Sequence, residues 1–175
     1  MRWVFKGVKG FTIHYVTSRA SHDPILDRPM HLCLEGIEVY VYPRLLIVEA
    51  GASTLLVTHG DMAVYNGLHA FAISLATRMA GEKLYLEKRL KKKLRLPKEW
   101  WLVMGHTHIP GVDYEARVAN AGSWRRMWKR ALPYYRPPSN TFIYVARRVE
   151  LYRYYAEKPC VTVSCFMGVN RLSWI

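Results

Sequence analysis

Short apolar and β-branched segments, separated by polar, glycine-containing or proline-containing turns, recur along most of the chain. Such segments of about four to eight residues are typical of strands, and two of them around a tight turn predict a hairpin. Strands or hairpins of this kind are predicted for residues 11–18, 32–42, 44–49, 54–58, 100–104 and 140–155. The two hairpins are expected to turn at Gly36 and at Arg147-Arg148.

The period of the pattern changes from two residues to about 3.6 residues in the middle of the chain. The apolar stripe that predicts a first helix consists of Val64, Leu68, Phe71, Ala72, Leu75 and Met79. A second helix is predicted over residues 82–94, with Glu87 and Lys91 as an i,i+4 ion pair. The apolar seam of the second helix consists of Leu86, Leu90 and Leu94. Residues 62–97 are thus predicted to form a helical hairpin inserted between two strands.

The chain has 175 residues, of which 51% are hydrophobic, which is enough for one folded domain with a buried core. Charged residues interrupt each apolar run before it reaches the length that crosses a bilayer. Three cysteines without metal-binding or disulfide-framework spacing indicate small buried side chains. We therefore predict a cytoplasmic protein of the α/β (α+β) class, one domain over residues 1–175 with a C-terminal tail over residues 156–175.

The net charge of +13 is the compositional feature that most restricts the partners of the chain. Eight basic residues lie within residues 83–98 and eight more within residues 125–153. Such clusters attract phosphates and are typical of a surface that binds nucleic acid. They are also typical of solvated helix faces in proteins from hot environments. Charge alone does not distinguish these two interpretations.

Histidines follow the ends of three separate predicted strands, at His22, at His59, and at His106 with His108. Strands that each deliver a histidine into a loop indicate a sheet that builds a site along one edge. Imidazoles that converge at the end of a buried strand form a plausible half of a metal site. In the following glycine-containing turn, Asn120-Ala-Gly-Ser123 adds polar groups and backbone N–H groups near the predicted site.

Four segments resemble, in order, motifs of the calcineurin-like metallophosphoesterase family. Residues 15–23 are similar to its strand and Gly-Asn-His-Asp loop, and Val57-Thr-His-Gly-Asp61 is similar to its metal-histidine loop. Met104-Gly-His-Thr-His108 resembles the Gly-His-x-His motif, and Asn120-Ala-Gly-Ser123 resembles the Asn-x-Gly-Ser turn. The helical hairpin and Trp124 are similar to the branch related to UDP-2,3-diacylglucosamine pyrophosphohydrolases.

The resemblance implies a β-sandwich flanked by helices, and two divalent metal ions that clamp and hydrolyse a phosphoester or pyrophosphate. By this resemblance His59 and His106 ligate one metal, His108 ligates the other, and His22 is the catalytic acid beside the leaving oxygen. Asn120 and Ser123 are the candidate phosphate-binding residues. Because neutral imidazoles suit Mn, Fe or Zn, we expect one of these ions rather than Mg.

The chain departs from the family pattern in the motifs that carry carboxylate ligands. It lacks the Asp-x-His strand and the Gly-Asp-x-x-Asp loop, and Ser21 stands where the family has a metal-binding asparagine. We therefore predict an incomplete sandwich and an incomplete dinuclear site, because nothing on these motifs neutralises two adjacent dications. Possible replacement ligands are Asp23, Asp61 and Asp113, or a residue of a partner chain.

Three hypotheses on function follow from these features. The chain is a metal-dependent phosphoesterase with replaced ligands, or a catalytically inactive relative that serves as a binding or scaffold module, or a nucleic-acid binder that uses its basic surface. The expected partner is a phosphate-containing small molecule or nucleic acid. The chain itself is expected to have no membrane span. Loss of strands would expose sheet edges, so a homo-oligomer that covers them is also predicted.

Overall fold

A computed structural model describes the chain over residues 12–19, 23–34, 36–124 and 138–155, and the backbone of Val169–Arg171. It has the mixed α and β fold that the sequence predicts. The strands are β1 Thr12–Thr17, β2 Met30–Leu34, β3 Ile37–Pro43, β4 Leu45–Ala50, β5 Ser53–Thr58, β6 Trp101–Met104, β7 Gly111–Asp113, β8 Val118–Asn120, β9 Thr141–Val145, β10 Val149–Tyr154 and β11 Val169–Arg171. The helices are α1 Gly67–Met79 and α2 Tyr85–Lys93.

The largest sheet has five strands in the order β4-β5-β6-β8-β7. The inner strands β5, β6 and β8 are parallel, and the outer strands β4 and β7 are antiparallel to their neighbours. All four residues of β6 are buried, because a parallel inner strand is covered on both faces. The carboxyl ends of β5 and β6 therefore lie side by side, which places the loops that follow them next to each other.

Each face of the five-stranded sheet packs against a different layer. One face contacts the helical hairpin through a cluster of Leu56, Leu90, Leu102, Met104 and Val118. The other face packs against the β9–β10 hairpin through a cluster of Leu55, Trp101, Val103, Ala119 and Val149. The result is a sheet sandwiched between helices and a second sheet, which is the predicted fold class.

A smaller sheet, in the order β1-β3-β2, contains the N-terminal strands. β1 pairs with β3 in parallel, and β3 is followed directly by β4 through Arg44, whose φ is 69°. The Thr58 hydroxyl at the end of β5 donates to the Arg44 carbonyl at 2.8 Å. The Thr17 hydroxyl at the end of β1 donates to the Tyr42 carbonyl at 3.3 Å. The ends of β1 and β5 thus lie close together although they belong to different sheets.

The first predicted helix is confirmed as α1, but most of its apolar stripe does not form the buried face. α1 begins at Gly67, where the Asn66 side chain caps it by accepting from the backbone N–H groups of Leu68 and His69. Its buried residues are Ala70, Phe71 and Ser74. Four members of the predicted stripe are exposed, namely Leu68, Ala72, Leu75 and Met79. Because α1 is apolar around most of its circumference, periodicity alone does not identify the core face.

The predicted ion pair between Glu87 and Lys91 is also wrong. The Lys91 ammonium donates to three backbone carbonyls, those of Lys98 at 3.1 Å, Trp100 at 2.6 Å and Ala116 at 2.9 Å. Burial lowers the pKa of Lys91. The Glu87 side chain points away into the protein, where it is 1% exposed. Lys91 therefore joins the C-terminal end of α2 to the segments that precede β6 and β8. Glu87 does not pair with it.

The C-terminal hairpin is confirmed as β9 and β10, with β11 as a third antiparallel strand beside β10. Of the predicted C-terminal tail over residues 156–175, only the backbone of Val169–Arg171 is described. Within the described part of the chain, neither helix is long enough to span a membrane.

Candidate functional site

The imidazoles of His59 and His106 contact each other at the carboxyl ends of β5 and β6. Their ring centroids are 4.7 Å apart with an interplanar angle of 64°. The backbone N–H of Gly105 donates to the His59 carbonyl at 3.2 Å, which ties the two loops together. Two of the predicted metal ligands are therefore adjacent because the parallel pairing of their strands brings them together.

His106 is 8% exposed, and its Nε2 lies 2.7 Å from the Val64 carbonyl oxygen. A carbonyl only accepts, so Nε2 carries the proton and Nδ1 keeps the lone pair in the neutral ring. Burial and the neighbouring His59 lower the pKa of His106, and the Val64 carbonyl and Asp61 oppose that shift. His106 is therefore neutral near pH 7 and offers Nδ1 to any further partner.

Asp61 is the candidate replacement carboxylate that lies beside the histidines. Its Oδ2 accepts from the backbone N–H of Arg19 at 3.1 Å, which connects the loop after β5 to the loop after β1. Its Oδ1 lies 3.6 Å from Nδ1 of His59, which is too long for a hydrogen bond. Both atoms are buried and have no hydrogen-bond partner within the described part of the chain.

The other two candidate carboxylates are engaged elsewhere. Asp23 accepts from the Tyr15 hydroxyl at 2.5 Å and from the Ser18 N–H at 2.9 Å. The first of these bonds raises the pKa of Tyr15 to about 12. Asp113 accepts from the Ala116 N–H and pairs with the Lys88 ammonium, each at 2.9 Å. Each of these contacts stabilises a local turn or strand end rather than the histidine pair.

His106 and His108 lie in a turn rather than in an extended segment. His108 is half-buried, and both His106 and His108 have a positive φ, 22° and 57°. The Gly-His-Thr-His segment is a turn closed by the His108 N–H donating to the Gly105 carbonyl at 3.2 Å. In an extended segment, side chains two residues apart point to the same side, and this rule therefore does not apply to His106 and His108. His22 and Ser21 lie outside the described residues.

The side-chain amide of Asn120 forms hydrogen bonds to the Gly-His-Thr-His turn. Its Nδ2 lies 2.7 Å from Glu87 Oε1, 2.8 Å from the Gly105 carbonyl and 2.8 Å from Thr107 Oγ1. Its Oδ1 accepts from the Gly122 N–H at 2.9 Å. Two amide hydrogens are thus shared among three acceptors, and the residue is fully buried. Asn120 serves as an internal brace in this structure.

Glu87 is the functional-site residue that the sequence interpretation missed. A signal for it exists, because Glu87 precedes Leu90 by three residues and Leu94 by seven, which places it on the buried face of α2. Burial raises the pKa of Glu87, while hydrogen bonds from Asn120 and Thr107 and the charge of Lys88 oppose the shift. A buried carboxyl group thus lies directly behind the Gly-His-Thr-His turn.

The backbone of Ser123 connects the turn of residues 120–123 to the second sheet. Its N–H donates to the Ser139 hydroxyl at 2.8 Å, and its carbonyl accepts from the Asn140 N–H at 3.1 Å. The neighbouring Trp124 indole donates to the Thr141 carbonyl at 2.7 Å. Like Asn120, Ser123 is placed here by contacts that hold the fold together.

The raised pKa of Glu87 predicts a pH-dependent stability with a defined sign. The folded state holds the Glu87 proton more tightly than the unfolded chain, whose carboxyl has the ordinary pKa of 4.5. The contribution of Glu87 to the free energy of unfolding is therefore complete below that pH. It is lost as the pH rises through the raised pKa of Glu87 in the folded state. We expect the free energy of unfolding, measured in urea between pH 4 and 8, to fall less steeply in Glu87→Gln than in wild type.

The matched control for this pH profile is Glu82→Gln, because Glu82 is exposed in the same helical hairpin. The control should follow the wild-type profile. Profiles of wild type and Glu87→Gln that are parallel over this range would contradict a buried titrating carboxyl at position 87.

The described donors do not fit the two-metal centre that the family resemblance implies. A dinuclear centre requires several ligands for each ion and a carboxylate that bridges the two. His59, Asp61 and His106 converge, but over the described ranges no group of three or more His, Cys, Asp or Glu side chains is arranged to hold a metal ion. The other candidate oxygen ligands, Asp23 and Asp113, are engaged in internal hydrogen bonds.

Comparison with known proteins adds a weak structural match. No family model matches the chain, and no curated protein sequence matches it either. One matching solved structure is the crystal structure of a single mutant of Vps29 from Entamoeba histolytica, at 14% sequence identity and a TM-score of 0.43. The match covers 81% of this chain and 64% of that chain. The chain thus spans less than two thirds of that structure.

Proposed function

We propose that this chain is a metallophosphoesterase-like binding module that recognises nucleic acid and does not hydrolyse phosphoesters with its own residues alone. The observation that carries the proposal is the internal use of the motif side chains. The amide of Asn120 braces the Gly-His-Thr-His turn, and two of the three candidate replacement carboxylates, Asp23 and Asp113, accept internal hydrogen bonds. Side chains that hold their own loops in place preserve the shape of the sheet edge without forming a dinuclear centre.

A basic surface along α2 and the turn after it supports nucleic acid as the partner. The buried face of α2 carries Leu86, Glu87 and Leu90, and Lys91 donates to backbone carbonyls. Its basic residues Arg89, Lys92 and Lys93 face the solvent. The exposed basic residues of this surface are Lys83, Arg89, Lys92, Lys93, Arg95 and Lys98. In a chain of net charge +13, such a surface attracts a phosphate backbone and releases its counterions on binding.

The second candidate function is metal-dependent hydrolysis, and one observation favours it. His59 Nδ1 and Asp61 Oδ1 are buried, have no hydrogen-bond partner among the described residues, and face each other at 3.6 Å. Unsatisfied buried donors and acceptors are costly and often mark a ligand position. With ligands from a partner chain, this pair would take a divalent ion such as Mn, Fe or Zn. The resemblance of the helical hairpin and Trp124 to the UDP-2,3-diacylglucosamine pyrophosphohydrolase branch implies a pyrophosphate as the substrate in that case.

The test is binding of fluorescently labelled RNA and DNA, single-stranded and double-stranded, measured by anisotropy over a range of salt concentrations. We expect the logarithm of the association constant to fall linearly with the logarithm of the salt concentration. The double variant Arg89→Glu with Lys92→Glu should bind at least about tenfold more weakly at low salt. The matched control is Arg28→Glu with Arg147→Glu, which makes the same change in net charge at exposed positions away from α2.

Two results would contradict this proposal. One is absence of binding at low salt, or equal loss of binding in the α2 variant and its control. The other is hydrolysis of an aryl phosphate in the presence of Mn or Zn by the purified chain, abolished in His106→Ala. The second result would favour the hydrolase.

A further inference from the structure

One face of the β1-β3-β2 sheet carries four aromatic side chains in a row. The strand register places His14 of β1 and His31 of β2 on either side of Tyr40 in β3. Tyr42 lies two residues further along β3, so it points to the same face as Tyr40. We name His31, Tyr40, His14 and Tyr42 the ring row. The two histidines are exposed and the two tyrosines are half-buried.

The rings of this row are close together and nearly parallel. Their centroids are 4.4 Å apart from His31 to Tyr40, 5.5 Å from Tyr40 to His14 and 5.7 Å from His14 to Tyr42. The corresponding interplanar angles are 16°, 15° and 22°. Nδ1 of His14 lies 3.1 Å from the Tyr42 hydroxyl, and His31 pairs with the Glu38 carboxylate. Because these contacts already orient the rings, a ligand that stacks on them restricts few further rotamers.

The ring row is not the face through which this sheet is buried. Val39 is 8% exposed and points to the opposite face, together with the partly buried Ile13 and Val41. The sheet therefore has one apolar face and one face of rings with polar atoms at their tips. Aromatic side chains on a solvent-facing sheet form a platform on which the unpaired bases of nucleic acids stack.

We propose that the ring row binds unpaired bases of single-stranded nucleic acid by stacking. This inference rests on the proposed function and deepens it, since it assigns the bases to the ring row and the phosphates to basic residues. Stacking of this kind accepts any sequence, because every base has a π-face. A duplex keeps its bases stacked inside the helix, so the ring row contributes to the binding of single strands alone.

Charge favours a nucleic acid over a neutral ligand, such as a sugar, that also stacks on aromatic rings. β1 and β3 are parallel, and the exposed Arg19 and Arg44 follow their carboxyl ends at one end of the sheet. There they attract the phosphates of a strand whose bases lie on the ring row. Glu38 begins β3 at the opposite end. Asp27 and Arg28, which precede β2, are adjacent and opposite in charge, so they add little net charge.

The ring row is connected to the basic surface of α2 through the loop after β5. The Arg19 N–H donates to Asp61 at 3.1 Å, and the Lys93 ammonium donates to the Met62 carbonyl at 3.2 Å. Lys93 belongs to the α2 surface and Arg19 lies at the end of β1. One strand of nucleic acid that follows this path contacts both surfaces, and it passes the edge of the five-stranded sheet that holds the histidine pair.

The test is fluorescence anisotropy of the full chain with three labelled probes of equal length. The probes are oligothymidylate, a strand in which abasic sites replace the bases, and a DNA duplex. The abasic strand carries the same phosphates as oligothymidylate, so a difference between the two measures the contribution of the bases. We expect the abasic strand to bind at least about fivefold more weakly.

Variants of Tyr40 assign this contribution to the ring row. Tyr40→Leu removes the central ring and should weaken the binding of oligothymidylate at least about fivefold without changing the binding of the duplex. Tyr40→Phe keeps the ring and should bind oligothymidylate as wild type does. Tyr144→Leu is the matched control, since Tyr144 is 51% exposed on β9 in a different sheet. Circular dichroism and a thermal melt of each variant confirm that it folds, and His14→Leu replaces Tyr40→Leu if that variant does not.

Equal binding of oligothymidylate and the abasic strand to wild type would overturn stacking on the ring row and leave phosphate binding by α2 intact. A folded Tyr40→Leu variant that binds oligothymidylate like wild type would overturn it too, as would an equal loss in Tyr144→Leu. Absence of binding of all three probes at low salt would overturn the proposed function as well, so the two failures are distinguishable.

Discussion

Glu87→Ala is expected to lower the free energy of unfolding by about 3–5 kcal/mol, which is a large share of the stability of a domain of this size. The Glu87 carboxyl group is 1% exposed and accepts from the Asn120 amide at 2.7 Å. Truncation removes that acceptor and the weaker contact with the Thr107 hydroxyl at 3.4 Å, and it leaves a cavity behind the turn. Urea unfolding followed by circular dichroism measures the loss.

Two further variants separate the roles of Glu87. Glu87→Gln keeps an oxygen acceptor and the side-chain volume, so it should cost less than half as much as Glu87→Ala. Glu82→Ala changes an exposed glutamate of the same helical hairpin and should stay within about 0.5 kcal/mol of wild type. If Glu87→Ala were as mild as Glu82→Ala, the buried network would not stabilise the fold.

Strands and hairpins were predictable because each has a local signature. β6 is a run of apolar residues bounded by a polar turn, and β9 and β10 flank Arg147-Arg148 with alternating residues. The hairpin of β2 and β3 turns at Gly36, whose φ of 81° suits glycine. In each of the two hairpins the strands are neighbours in sequence and in the sheet, so the local pattern contains the pairing.

Pairing between distant strands could not be predicted in the same way. β1 pairs in parallel with β3 and skips β2, and it belongs to a different sheet from β5 and β6. The sequence interpretation placed the loop after β1 on the same sheet edge as His59 and His106. In the structure a contact between the loops, from Arg19 to Asp61, connects them instead. Such contacts depend on tertiary packing, which a local pattern does not encode.

The sequence interpretation also could not decide which face of each helix is buried. Glu87 precedes Lys91 by four residues, and this spacing is compatible with a surface ion pair and with a buried carboxyl. Only the position of Asn120, 33 residues away in the chain, decides between them. The same ambiguity affects α1, where Leu75 is as apolar as Phe71 although it faces outward.

Gly60→Ala should destabilise the fold by about 2–4 kcal/mol and disturb His106 directly. Gly60 has a φ of 110°, a conformation that strains any residue with a side chain. An added Cβ would lie 2.7 Å from Met104 Cε and 3.0 Å from His106 Cβ. The methionine end can move aside, but a Cβ moves only with its backbone, so His106 must shift and lose its hydrogen bond to the Val64 carbonyl.

The matched control for Gly60→Ala is Gly67→Ala, which adds a methyl group near the same imidazole from the other side. A Cβ at Gly67 would lie 3.7 Å from His106 Cε1, an ordinary contact, and the position begins α1 with no positive φ. Alanine suits a helix better than glycine, so this variant should match wild type or gain up to about 1 kcal/mol. Urea unfolding gives both free energies, and nitrogen-15 spectra of the imidazoles report the Nε2–H bond of His106. Equal behaviour of the two variants would mean that the loop after β5 does not position His106, because both add the same methyl group and only one has no room for it.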